Sequence, residues 1–207
     1  MRIPALIALT ALCATAQAAG MEVRVTDGAG APLGEAVVYA LPTSGASSPG
    51  GGGVFLIDQV NRKFVPVVSA VQTGTRINFP NKDDIRHHVY SFSPAKTFDI
   101  KLYHGTPANP VLFDKAGTVI LGCNIHDNMV AYVLVVDTPY FAMTNAEGVA
   151  RLDGMPAGTY RLEGWHPRIA DPAHPPSKTI ELAAEALPPL AFRIALGAAP
   201  NQPLFEE

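Results

Sequence analysis

Short runs of alternating apolar and polar residues dominate this chain. Val23 and Val25 alternate with Glu22, Arg24 and Thr26, a period of two that turns one face of a strand towards a core. A DGAG turn follows, then the apolar run Ala36–Leu41, so this stretch reads as two strands around a turn. Between Val54 and Asp137 the runs VFLID, VVSAV, TRINF, HVYSFS, TFDIKLY, TVILG and VAYVLVVD are separated by turn-forming residues. That density of strands suits a sandwich. From Thr138 to Leu196, TNAEGVARLDGMPAGTYRLEGWHP reads as two strands joined by a PAG turn, and TIELA and LAFRIAL as closing strands. No window sustains a 3.6-residue period. The best helical candidate, Glu181–Leu187, is short and runs into Pro188 and Pro189. The expected class is all-β.

Composition supports that reading. Eighteen glycines and 19 prolines punctuate the runs, as turns between short strands require. The stretch Ser44–Gly53, SGASSPGGGG, is a low-complexity linker or long loop. Residues 1–18 have a positive start at Arg2, an apolar run from Ile3 to Cys13, and small residues in Ala16-Gln17-Ala18. That is the pattern of a secretory signal peptide cut after Ala18, too short for a membrane span. An exported, periplasmic protein is expected. Removing this segment leaves 14 basic against 18 acidic residues, with no clustered Lys and Arg to point to nucleic acid. It also leaves Cys123 as the one cysteine of two. In an oxidising compartment an unpaired cysteine implies an intermolecular bond, a reactive thiol or a ligated thiolate; an inert buried Cys is the plain alternative.

Cys123 stands in GCNIHDNM, which places a thiolate, the imidazole of His126 and the thioether of Met129 at steps of three. The strand TVILG ends at this segment and VAYVLVV starts after it, so the segment is a loop at one end of the sandwich. His87 and His88, in FPNKDDIRHHVYSFS, lie where a turn-rich segment enters another strand. A histidine from there would complete a set of two imidazoles, a thiolate and a thioether. Trigonal His₂Cys with a weak axial Met is the ligand field of a blue-copper electron-transfer site. Structural zinc draws on Cys and His and rarely on Met. A binuclear copper centre would need a second cysteine. Taken singly, Met129 reads as a core residue, His126 as a surface loop histidine and Cys123 as an inert thiol. His104, His166 and His174 are expected to face solvent, Trp165 to anchor the last region's core, and Asp83, Asp84 and Asp153 to serve turns.

The stretches NRKFVPVVSAVQTGTRINFPNKDDIRHHVYSF and GTVILGCNIHDNM resemble the cupredoxins, the type 1 blue copper proteins, on their amicyanin and pseudoazurin side. The shared pattern is F-x-P, a strand, a G-T turn, a strand ending in Asn, and a ligand His a few residues on, followed by a short C-x-x-H-x-x-M loop. The resemblance covers Val54 to Asp137. It implies a Greek-key cupredoxin β-sandwich and one type 1 copper held by His87, Cys123, His126 and Met129. The spacing from Asn81 prefers His87 over His88. Two departures stand out: His88 occupies a position usually held by Asn, and Ile125 one often held by Pro. The flanks, VRVTDGAGAPLGEAVVYAL and TNAEGVARLDGMPAGTYRLEGWHP, resemble carboxypeptidase regulatory-like (transthyretin-like) β-sandwiches. The expected organisation is a signal peptide at 1–18, a cupredoxin domain at 54–137, a second, smaller and discontinuous sandwich from 21–43 plus 138–197, and a tail at 198–207.

What the resemblance implies is an exported copper protein that transfers single electrons between redox partners, amicyanin-like and tied to methylamine utilisation. Its partners would be a c-type cytochrome or a periplasmic dehydrogenase. A copper chaperone or store would use the same ligands, and a metal-free binding sandwich would need none of them. No enzyme is expected, because four protein ligands leave a single metal no open position for substrate.

Overall fold

A computed structural model of the chain describes residues 19–44, 52–183 and 188–198. The expected signal peptide, the centre of the Ser44–Gly53 stretch and the tail from 199 lie outside the described residues. The described residues are all-β, with seventeen strands and no helix. They bury two large apolar cores and a smaller one between them.

The first core lies between two sheets built from both flanks of the chain. One sheet has the order β14-β1-β17 (Val149–Met155, Ala19–Thr26, Leu190–Arg193). The other runs β13-β2-β15-β16 (Phe141–Met143, Val37–Pro42, Gly158–Trp165, Ser177–Leu182). Period-two alternation explains the packing: Val23 and Val25 from one sheet and Val38, Ala40 and Leu162 from the other share the core. The strands expected on either side of the DGAG and PAG turns are present, but they do not pair with each other. β1 pairs with β14 and β17, while β2 pairs with β13 and β15. The DGAG and PAG turns therefore carry the chain from one sheet to the facing one, because each strand must aim its apolar side into the shared core. Of the helical candidate, Glu181 and Leu182 end strand β16, and 184–187 lie outside the described residues.

The second core is formed within residues 57–135. A five-stranded sheet has the order β6-β12-β11-β8-β9 (Val68–Gln72, Val130–Val136, Gly117–Gly122, His87–Ser93, Lys96–Tyr103). A three-stranded sheet, β10-β7-β3 (Val111–Phe113, Thr75–Asn78, Val54–Leu56), contributes Phe113 and Ile77 to the same core. A small hairpin, β4 (Asp58–Val60) with β5 (Lys63–Val65), adds Phe64. The seven strands read from the pattern are present; β4, β5 and β10 are too short for periodicity to reveal.

The third cluster joins the two units. Val68, Leu134 and Val136 of the five-stranded sheet pack with Val37 and Trp165 of the outer one. The Trp165 indole N–H donates to Thr118 Oγ1 at 2.9 Å. Trp165 is thus a core anchor of the contact between sandwiches, not of the last region alone.

Candidate metal centre

Cys123 follows strand β11 directly, and β12 starts at Val130, so the segment between them is a tight loop at one end of the five-stranded sheet. The Met129 N–H donates to His126 O at 3.0 Å, which closes the loop on itself. A Cβ at Gly122 would lie 2.8 Å from the Tyr90 ring, so a larger residue there would displace the ring that packs over the backbone next to Cys123.

His87 opens β8, hydrogen-bonded next door to β11. Successive strand residues face opposite sides, so His87 and His88 part company. His87 is fully buried and its ring meets the His126 ring edge-on, centroids 5.0 Å apart. His88 turns the other way, tilts against Tyr90 and binds Asp99 through Nε2. The ligand-capable atoms of His87, Cys123 and His126 all lie within 4.8 Å of one another. Cys123 Sγ is 3.8 Å from His126 Nδ1. Met129, 1% exposed, belongs to the same apolar cluster as Cys123.

Under this cluster lies a polar framework. Asn81 donates through Nδ2 to Ile85 O (2.8 Å) and Tyr103 O (2.9 Å), and its Oδ1 accepts the Asp83 N–H (3.0 Å). These bonds set the turn from which His87 emerges. Asp83 Oδ2 bonds His87 Nε2 at 2.7 Å. Partial burial pushes Asp83 up, but the Arg62 N–H, the His87 ring and the Asn61 N–H outweigh it and hold its carboxyl below the ordinary value. Burial lowers the pKa of His126; the His87 ring and Arg62 push the same way against Asp83. That favours the neutral imidazole, the form that ligates metals. The Tyr103 hydroxyl, which donates to Phe79 O at 2.5 Å, has its pKa pushed up to about 12 chiefly by burial, against the Gln59 hydrogen bond.

The donor set fits a soft or borderline metal. Cys123 is a buried, unpaired thiol, and His87 Nδ1 is fully buried without a hydrogen-bond partner. A buried polar atom left unmatched is costly, and a metal is one thing that would match it. The sequence placed His87, Cys123, His126 and Met129 in this neighbourhood. It did not reveal Asp83, read as a turn residue, although its i, i+4 spacing to His87 was visible. His104 and His174 are exposed. His166 is not: it is only 8% exposed, and its Nδ1 accepts the Arg168 N–H at 3.1 Å, in a loop that bridges back to Leu196 through Ile169.

No protein-family model matches the chain, and no curated relative matches it. Among solved structures, it is similar to a reduced amicyanin mutant, the Cu(I) form of another and the oxidised state of a third. Each is 19% identical and spans 47% of this chain and 99% of the amicyanin chain, with a TM-score of 0.37. At that level the reading of the site rests on its own geometry.

Proposed function

We propose that the chain is an exported type 1 copper protein that carries single electrons. The observation behind this reading is the convergence of buried His87 and Cys123 with half-buried His126 within 4.8 Å, with His87 Nδ1 lacking any other partner. Copper, when bound, supplies a one-electron couple compatible with thiolate and imidazole donors. In this reading His87 and His126 would hold the metal as imidazole donors, Cys123 as the thiolate and Met129 as a weak thioether donor. Attachment of both strands to a packed sheet keeps the donors in place, so little rearrangement accompanies a change of charge.

Residues 54–137 serve as the cupredoxin unit in this reading. The segments 21–43 and 138–197 serve as a carboxypeptidase regulatory-like scaffold. The loop that carries His126 also carries Ile125, 46% exposed. An exposed apolar side chain beside His126 suits small, transient contact with a c-type cytochrome or a periplasmic dehydrogenase. Export through residues 1–18 would bring the chain to those partners.

The test is redox cycling of the copper-loaded protein with ascorbate and ferricyanide, followed by electron exchange with a c-type cytochrome. Repeated one-electron cycling without copper loss is expected. Release of copper to a chelator on each reduction would assign the site to copper delivery instead.

A further inference from the structure

Among the described residues, Asp83 is the carboxylate hydrogen-bonded to the donor set, and it is so through His87. An ionised carboxylate only accepts hydrogen bonds. The 2.7 Å contact therefore requires the proton of the neutral His87 ring to sit on Nε2. Nδ1 then carries the lone pair, and Nδ1 is the buried ring atom with no partner. Asp83 is itself fixed from the far side. The Asn61 N–H donates to its Oδ1 at 2.6 Å and the Arg62 N–H to its Oδ2 at 2.9 Å. Those two residues turn the β4–β5 hairpin with φ of 53° and 59°, the left-handed conformation of a tight two-residue turn. A chain of contacts thus runs from hairpin backbone to carboxylate to imidazole.

We propose that Asp83 is the positioning residue of the metal centre: it selects the Nε2–H tautomer of His87 and straps that ring to the β4–β5 turn, so that Nδ1 is presented for ligation. The choice of copper as the metal rests on the function proposed above; the tautomer and the strap do not. A partner of this kind fixes ring orientation and raises ligand basicity, and its loss typically weakens metal binding about 10- to 100-fold. The neighbouring Asp84 is exposed and is the matched control, since removing it deletes the same charge without touching His87.

The experiment uses ¹⁵N-labelled metal-free protein at pH 8, where long-range ¹H–¹⁵N spectra report which ring nitrogen of His87 is protonated. Nε2–H is expected in the wild type; Nδ1–H there overturns the proposal without any variant. Cu(II) affinity is then measured by chelator competition. Asp83→Ala should weaken it about 10- to 100-fold and mix the His87 tautomers, with Asp84→Ala within about twofold of wild type. Equal losses in both variants would mean that only general charge matters and would overturn the positioning role. A wild type that holds the Nε2–H tautomer, loses it in Asp83→Ala and yet binds no copper would sink the copper function and leave the positioning role standing.

Discussion

The two sandwiches are built from the same materials and treat buried polar groups in opposite ways. In the outer one, the buried polar side chains are matched. Thr144 Oγ1 accepts from Ala36 N and donates to Leu33 O, Thr138 donates to Ala40 O, and Glu163 accepts from Tyr39 and Arg161. In the inner one, Asp58, Gln59, Ser69, Asn78, His87 and His88 each keep a buried polar atom without a partner; among the described residues every such atom lies there. Unmatched buried atoms cost stability, and functional sites are where such costs collect. The outer sandwich is packed with its buried polar groups matched, and the inner one carries the candidate site at one end.

That contrast can be broken at several points. The largest effect belongs to the outer core. Leu162, fully buried, should lose about 2–5 kcal/mol of stability as Leu162→Ala, measured by urea unfolding, with copper affinity of the folded protein unchanged. At the contact between sandwiches, Trp165→Phe keeps most of the packing and removes the bond to Thr118. A loss of about 1 kcal/mol is expected, and a loss of copper binding as well would show that the site depends on the outer unit. At the inner end, His87→Leu should abolish copper binding. It should change the unfolding free energy of the metal-free protein by about 1 kcal/mol or less, because the lost Asp83 bond is offset by removal of an unmatched nitrogen. A cost as large as that of Leu162→Ala would make His87 a structural residue.

The smallest effect is one of pH. Burial, then Arg168, holds His166 below its ordinary value of 6.5. The unfolded chain takes up that proton first as pH falls. The neutral ring's contribution is therefore present above about pH 6.5 and is lost as pH falls through the folded value. His166→Gln should flatten the acid side of the stability profile; an unchanged profile would place the titration elsewhere.

Much of this was legible in the sequence, for identifiable reasons. Alternation such as Val23-x-Val25 reports a two-sided strand directly, and the Cys123–His126–Met129 spacing is local. Pairing is not local. Nothing in MEVRVTDGAG says that β1 will join β14 and β17 instead of β2, because that is decided by which strands share a core. The hairpin β4–β5 was hidden because Asn61-Arg62 lacks the glycine that usually marks such a turn. His166 looked exposed among prolines, and what sequence could not show is that the following loop folds back on it, with Arg168 N–H and Ile169 N–H bonded to its Nδ1 and carbonyl. The choice between His87 and His88 turns on strand parity, which sequence order fixes only once the inward face of β8 is known.

The most direct measurement is the visible absorption spectrum of the purified protein on addition of Cu(II), beside that of Cys123→Ser. An intense blue thiolate-to-copper band, absent from the variant, is the expected result. A folded wild-type protein that shows no such band would contradict the copper centre and leave His87, Cys123 and His126 as a polar cluster with another role.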